Sequence, residues 1–284
     1  MKAPPFAYAR ARNLSEVFEL LERHKDGAKI LAGGQSLMPA LNMRLSSPEV
    51  LIDITRLAEL AGIKVNGGHV HIGALTTHAE IGRSADIRKH LPLLADAVEH
   101  IAHPAIRNSG TFGGSLAMAD PAAEWPACCV ALNARIVLAG KSGTRQVAAR
   151  EFFHGLYATA MQPDEVLTEV VIPIPKPGTR HAFLELARRR GDYAIVGIAA
   201  LAQIANNKVT DLRLAFLGAG EKPMLAESAS QVIVNKGLSD TAIAEAQNAL
   251  AQDIDPAADL YHTAATKLHL ARVLTSRVLK QLAA

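Results

Sequence analysis

Two short stretches pair glycines with hydroxyl side chains: Ala32-Gly33-Gly34-Gln35-Ser36 and Thr111-Phe112-Gly113-Gly114-Ser115. Glycine bares the backbone, so amide N–H groups there can close on an anion, and Ser36, Thr111 and Ser115 can add hydroxyl donors. Such a combination suits holding an anion rather than making or breaking bonds. Either Gly-Gly pair alone also reads as an ordinary turn. Two of them in a β-rich setting point to a grip on one pyrophosphate from both sides. Neither follows the G-x-G-x-x-G order of a dinucleotide fingerprint or the Gly-Lys-Ser/Thr ending of a P-loop. Gly218-Ala219-Gly220 is followed by Glu221-Lys222-Pro223 and reads as a turn.

Other reactive side chains form no recognisable set. His69 with His71 and His100 with His103 have ligand-like spacing, but nothing completes the closed set that zinc needs. Cys128 and Cys129 lie in the apolar run Ala127 to Leu132 and read as buried small hydrophobes. Neighbouring cysteines are poorly placed for a disulfide, and two cannot supply the four thiolates usual for a [2Fe–2S] centre. There is no G-x-S-x-G elbow. Arg188-Arg189-Arg190, just before Tyr193, reads either as a solvated bend or as a group that neutralises phosphate or docks a partner. No side chain stands out as a general acid or base.

The elements that must position the two stretches follow from hydrophobic period. Asn13 with Glu16 makes a capping box for a helix carrying Leu14, Val17, Phe18 and Leu21. A strand over 28–31, a short helix over 37–45 and a strand over 50–54 give a βαβ-like start with the first glycine stretch at a strand's carboxyl end. Asn66-Gly67-Gly68-His69 joins two alternating runs as a hairpin. Residues 74–77 extend that hairpin or lead into a helix at 78–83; a helix over 91–101 stops at His103-Pro104. A loop at 111–115, a buried helix over 127–132, and strands near 135–139, 147 and 166–174 follow. Pro173, Pro175, Pro177 and Gly178 mark the best boundary. Beyond it come a strand over 182–187, a small-residue segment of undetermined type over 194–204, a strand over 209–217, and helices over 239–251 and 257–282.

Composition excludes several classes. The 284 residues carry 30 basic and 27 acidic side chains, scattered, and 4% aromatics, which argues against a nucleic-acid surface. No apolar run reaches the roughly 18 residues of a spanning helix. Met1 to Phe6 lacks the apolar core of a signal segment, so a cytoplasmic protein is expected.

The two glycine stretches occur in order with His103-Pro104-Ala105-Ile106-Arg107-Asn108, Asp120-Pro121 with Glu124, Phe152-Phe153-His154-Gly155, Gln162-Pro163-Asp164-Glu165-Val166-Leu167 and Arg189-Arg190-Gly191-Asp192-Tyr193-Ala194. This set resembles the FAD-binding medium subunit of the molybdenum hydroxylases, the family of carbon monoxide dehydrogenase, quinoline oxidoreductase and the xanthine dehydrogenase flavin domain. The resemblance spans essentially the whole chain.

It implies an α+β fold: a two-part FAD-binding domain of the vanillyl-alcohol-oxidase (PCMH) type, then a C-terminal domain of antiparallel sheet plus helices. With the change of period near residue 54 and the proline boundary, the expected division is 1–54, 55–177 and 178–284. The resemblance assigns Ala32, Gly33, Gly34, Gln35 and Ser36, with Thr111, Phe112, Gly113, Gly114 and Ser115, to the FAD pyrophosphate. It places Glu124 at the adenosine ribose, Ile101 and Met161 along the cofactor, and Tyr193, after Asp192, over one face of the isoalloxazine. Relatives often carry a lysine shortly before the paired arginines; Leu184 and Glu185 stand there in this chain. The implied function is electron transfer, with no catalytic acid or base on this chain. A large partner subunit would hold the molybdenum cofactor and a small one two [2Fe–2S] clusters, in a dimer of heterotrimers. The FAD would pass electrons to a quinone, dioxygen or NAD, in the cytoplasm or at the inner face of the membrane. Two alternatives use the same residues: a self-contained FAD-dependent oxidase or reductase, in which Gln35 could not form a histidyl–flavin link, and a flavin-free scaffold.

Overall fold

A computed structural model describes residues 2–206 and 208–284. The N-terminal part is a parallel three-stranded sheet with strand order β1-β3-β2, made by β1 (Ala7–Arg10), β2 (Ala28–Leu31) and β3 (Val50–Asp53). Helix α1 (Leu14–His24) joins β1 to β2 and buries Val17 and Leu21; α2 (Leu37–Asn42) joins β2 to β3 and buries Leu41. Parallel neighbours need such crossovers. Asn13 caps α1 by accepting from the Glu16 amide at 2.9 Å. The expected reciprocal contact does not form. Glu16 turns to Arg12, which offers its amide at 2.8 Å and a guanidinium N–H at 3.0 Å.

β1 has no signature in the periodicity, being four mostly exposed residues. It is pinned at its end by Asp53. The Tyr8 hydroxyl and Arg10 Nε donate to one Asp53 oxygen, while the Thr55 amide and hydroxyl donate to the other at 2.8 and 2.6 Å. Burial alone would raise the Asp53 pKa, but the hydrogen bonds from Thr55, Tyr8 and Arg10 outweigh it and hold it at about 2.

The second sheet is antiparallel, with order β4-β5-β10-β6-β7. Its hairpin, β4 (Ile63–Asn66) and β5 (His69–Gly73), turns on Gly67 at φ 55° and Gly68 at φ 77°. Both values lie in the left-handed region that a two-residue hairpin loop requires. The remaining strands are β6 (Arg135–Gly140), β7 (Gly143–Ala148) and, after a small hairpin of β8 (Phe153–Gly155) and β9 (Ala158–Thr159), β10 (Val166–Pro173).

Between β5 and β6 the chain is helical, in pieces: α3 (His78–Arg83), α4 (Ala85–His90), α5 (Pro92–Ala97), α6 (Pro104–Arg107), α7 (Phe112–Met118) and α8 (Glu124–Ala131). Three corrections concern this region. The helix expected over 91–101 ends at Ala97, and Ala102 takes φ 42°, so the chain has left the helix before His103. The second glycine stretch is not a loop. Thr111 is the N-cap of α7, and Gly113 and Gly114 lie in its first turn. The buried helix begins at Glu124, earlier than its apolar run suggests, and buries all eight of its residues. A four-residue helix, α9 (Ala149–Phe152), follows β7.

The C-terminal sheet has order β11-β12-β13-β14: β11 (Thr179–Ala187), β12 (Ala194–Ala205), β13 (Lys208–Leu217) and β14 (Met224–Leu225). One face packs on α10 (Glu227–Lys236), α11 (Asp240–Asp253) and α12 (Ala264–Ala283), through Val196, Ile198, Ala200 and Leu214. The other face, with Phe183, Ala199, Leu201, Ala215 and Leu217, joins the core that contains Trp125, Cys128 and Leu93. β12 is therefore covered on both sides, which explains why 194–204 shows no alternation. The last helix starts at Ala264, not near 257. The Asp259 carboxylate takes the Tyr261 and His262 amides, both at 2.8 Å, and Thr263 caps the helix. Leu260, expected on the inward stripe, is 93% exposed.

Candidate functional site

The first glycine stretch leaves the carboxyl end of β2 and enters α2, with Gly34 at φ 70°. Its carbonyls are engaged: Gly34 O accepts from the Met38 amide at 3.0 Å, and Gly33 O from Gln35 Nε2 at 3.1 Å. Its amides are not. Those of Gly33, Gly34, Gln35 and Ser36 donate to no acceptor among the described residues. Four uncommitted N–H groups on consecutive residues form a donor set suited to an anion.

The second stretch lies directly beside the first. A Cβ on Gly33 would stand 2.2 Å from Ser109 O, and one on Gly114 would stand 4.0 Å from the Ala32 Cβ. Yet four of its five amides are committed. Phe112 donates to Thr76 O and Gly113 to Ala74 O, both at 2.9 Å; Gly114 donates to Thr111 Oγ1 and Ser115 to Thr111 O, both at 3.1 Å. This side therefore has fewer backbone donors than expected: it can offer the Thr111 and Ser115 hydroxyls and, among its amides, that of Thr111, which donates to no acceptor among the described residues. Phe112 is fully buried and packs on Trp125 at 5.2 Å, so its ring serves the core.

The second stretch rests on a brace that the sequence reading missed. The His78 amide donates to Gly110 O at 3.0 Å, and Trp125 Nε1 donates to His78 Nδ1 at 2.9 Å. Burial, helped by the Arg107 charge, pushes the His78 pKa down to about 4. The ring is neutral at pH 7, accepting at Nδ1 and protonated at Nε2. The one tryptophan of the chain was the available signal.

The remaining site residues lie on α8, on the C-terminal sheet and on the segments that pack beside them. Glu124 opens α8 and is 9% exposed. Burial pushes its carboxyl up to about 7; the hydrogen bond from its own amide opposes this, and Asp120 adds to it. Glu185 lies on β11 opposite Gly197. Burial, then the Glu124 charge, pushes Glu185 up to about 8, and its Oε2 is buried without a hydrogen-bond partner among the described residues. Tyr193, after an exposed Asp192, is 70% exposed; desolvation, Asp120, Tyr157 and Glu124 raise its phenol. Ile101 is buried nearby, and its carbonyl accepts from Arg107 at 2.9 Å. Gly191, at φ 86°, would place a Cβ 2.8 Å from Ala102 O, which seats the bend of Tyr193 against Ile101-Ala102. Arg190 reaches Glu99 at 3.4 Å, and the Gly218 amide donates to Pro121 O at 2.8 Å. Met161 stands after β9 and packs on the same core. Two cavities, of about 200 and 350 Å³, include none of these residues.

Residues 4–175 match the family described as the FAD binding domain in molybdopterin dehydrogenase, and residues 181–282 match the CO dehydrogenase flavoprotein C-terminal domain. The chain belongs to this FAD-binding family of molybdenum hydroxylase subunits. It is 38% identical over 280 residues to the 6-hydroxypseudooxynicotine dehydrogenase complex subunit alpha of Paenarthrobacter nicotinovorans, covering 98% of this chain and 95% of that one. It is 36% identical to the carbon monoxide dehydrogenase medium chain of Hydrogenophaga pseudoflava, covering 98% and 97%. A solved carbon monoxide dehydrogenase structure from that organism superposes with a TM-score of 0.96, covering 99% of this chain and 98% of the other. Quinoline 2-oxidoreductase from Pseudomonas putida 86 superposes with a TM-score of 0.94 at 36% identity, covering 100% and 98%. The fold is thus the family's FAD-binding domain followed by its C-terminal flavoprotein domain, and the chain is an oxidoreductase flavoprotein subunit. FAD fits what the residues offer: uncommitted amides and hydroxyls for phosphate, and, in Glu124, a buried acid without a side-chain partner among the described residues for cofactor hydroxyls. Among the described residues, no helix is long and apolar enough to cross a membrane.

Proposed function

We propose that this chain is the electron-transferring FAD subunit of a molybdenum hydroxylase complex. It would take electrons from [2Fe–2S] clusters on a small partner subunit and pass them to a quinone, dioxygen or NAD. The large partner would carry the molybdenum cofactor and the substrate pocket, in a dimer of heterotrimers in the cytoplasm. A quinone acceptor would bring the complex to the inner face of the membrane. The observation that carries this reading is the row of four uncommitted amides at Gly33 to Ser36 beside the second stretch.

FAD, when bound, supplies two-electron redox chemistry. The protein binds and orients it. Ala32 to Ser36 hold the pyrophosphate by amides, while Thr111 and Ser115 add hydroxyls. Phe112, Gly113 and Gly114 keep that hydroxyl side in place. Glu124 accepts from a ribose hydroxyl, and Ile101 and Met161 give the cofactor apolar walls. Tyr193, set by Asp192 and the bend before it, covers the ring and shields it from water. The work divides over residues 1–54 and 55–177, which hold the cofactor between them, and 178–284, which closes over the ring.

The visible spectrum of the purified chain after reconstitution with FAD tests the binding. A flavin band that survives gel filtration is expected, and its absence would overturn the reading. Purification from the native source should then yield three different subunits with molybdenum and iron. A chain that runs alone and turns over an organic substrate would replace this reading by a self-contained flavin enzyme.

A further inference from the structure

The cleft of about 200 Å³ lies apart from the flavin site, on the seam between the flavin-holding part and the C-terminal domain. Three segments enclose it: the junction of α4 and α5, the proline linker after β10, and the start of β11 with β12 beside it. The linker cannot close the gap by pairing across it. Pro175 and Pro177 have no N–H to give. The Lys176 carbonyl already accepts from the Thr179 amide at 3.1 Å and the Thr179 hydroxyl at 2.7 Å. The Pro177 carbonyl accepts from Gln203 Nε2 at 2.9 Å, and the Ile174 amide donates to Gly68 O at 2.9 Å. This wall is therefore fixed before any ligand enters, as pre-formed sites require.

The lining has two parts. Leu91, Leu132 and Leu201 form an apolar floor. Lys89 on α4 and Lys176 on the linker, both exposed, supply positive charge at its edge. No carboxylate side chain among the described residues lines the cleft. The lysines that pair with acids among the described residues are Lys141, Lys236, Lys267 and Lys280, so neither ammonium here is neutralised. His90 and His181 are the other titratable groups of the lining, and His181 is turned to Asp96 at 3.2 Å. The amides of Lys176 and Gly178 donate to no acceptor among the described residues. Such a lining selects a ligand with an apolar body and a negative charge. Inorganic phosphate leaves the leucines without a partner, and a neutral hydrocarbon leaves the lysines without one. A volume equal to about seven waters of the liquid limits the body to a single small ring or a short branched chain. We propose that this cleft binds a small organic carboxylate, its body on Leu91, Leu132 and Leu201 and its charge between Lys89 and Lys176. The ligand touches both parts of the chain and clasps the C-terminal domain to the flavin-holding part. The site shares no residue with the proposed flavin site and does not rest on the FAD reading.

The test titrates the full FAD-loaded chain with benzoate in a calorimeter. A Kd on the order of 1 mM is expected for a ligand of this size. Benzoate at about 10 mM should also raise the unfolding temperature, because the cleft exists only while the two parts are docked. Lys89→Met combined with Lys176→Met keeps both apolar stems and removes both charges. Its affinity for benzoate should fall at least about tenfold, the loss expected for a hydrogen bond to a charged group. Two further probes separate body from charge: benzamide has the ring alone and inorganic phosphate the charge alone. Each should bind the wild type at least about tenfold more weakly than benzoate. Wild-type chain that takes up no benzoate at about 10 mM would overturn the proposal. Equal benzoate affinity in the double variant, or benzamide or phosphate binding as tightly as benzoate, would do the same. A flavin band that benzoate shifts alike in wild type and double variant would move the ligand to the flavin and also overturn it. If the chain takes up no flavin, the same titrations on the flavin-free chain decide the matter, so the two readings fail separately.

Discussion

The two glycine stretches share a Gly-Gly pair with a serine close behind, and they do opposite things with their backbones. At Gly33 to Ser36 the chain has left a strand, and its amides donate to no acceptor among the described residues. At Phe112 to Ser115 the same groups are taken by Thr76, Ala74 and Thr111 before any ligand arrives. Glycine is needed at both places for different reasons. Gly34 needs its positive φ. Gly113 must let one backbone approach another, since a Cβ there would lie 2.5 Å from the Ala74 Cβ. A glycine pair in a sequence thus marks close approach without saying whether the visitor is a phosphate or the protein itself.

Substitutions can break this contrast. Gly33→Val should have the largest effect, because its Cβ would sit 2.2 Å from Ser109 O and force the two stretches apart. Overpacking of this kind costs about 1–3 kcal/mol or more. The variant should retain less than about a tenth of the flavin, read from the ratio of visible to ultraviolet absorbance. Full flavin content would show that the stretches need not touch.

Acid should attack only the second stretch, since Ala32 to Ser36 contain no titratable side chain. His78 has a folded pKa of about 4 against an ordinary 6.5. Below pH 6.5 the unfolded chain binds the proton more readily, so this stabilisation is lost as pH falls toward 4, by about 3 kcal/mol in total. Glu124 and Glu185, raised to about 7 and 8, act in the other direction. Their stabilisation is present below about pH 4.5 and is lost as pH rises through 7 and 8. The readout is therefore the difference in urea-unfolding slope against pH between wild type and His78→Asn. Equal slopes would remove His78 from the brace.

Thr111→Ala deletes the cap on Gly114 N–H and should cost about 1 kcal/mol of stability. Its FAD affinity should drop by less than that of Gly33→Val. A stability unchanged within error would mean that the cap is not what occupies that amide. Ser115→Ala removes one hydroxyl and no amide, and should weaken FAD about two- to tenfold, measured by fluorescence titration. A loss as large as that of Gly33→Val would make the second stretch the principal phosphate holder and reverse the contrast.

Much of the scaffold could be read from the sequence because it rests on local rules. The apolar runs at 28–31 and 50–54 and the glycines between them specify β2, the first stretch and β3. Asn66 to His69 specifies the hairpin outright. What stayed hidden depends on partners distant in sequence. β1 is held by the Asp53 cluster, 43 residues from Arg10. The second stretch becomes a helix start because Thr76 and Ala74, on another element, receive its amides. β12 shows no period because two cores share it. Asp259 delays α12 by capturing amides that a helix would have used. Of the candidate site, the glycines, Glu124 and Tyr193 could be named from the sequence only through the resemblance. Glu185 was visible as a departure from relatives; its missing hydrogen-bond partner is visible only in three dimensions.

The shared strand also bears on how the chain is made. Phe183, Ala199, Leu201, Ala215 and Leu217 belong to the core that holds Trp125 and Cys128. On a ribosome the flavin-holding half emerges first. Its core nevertheless lacks one wall until β13 has been synthesised. A nascent chain stopped at the proline boundary would present an open apolar face to chaperones, and the same cut in an expression vector would yield an aggregating fragment. The two modules are therefore adjacent in sequence yet completed at a single moment of synthesis.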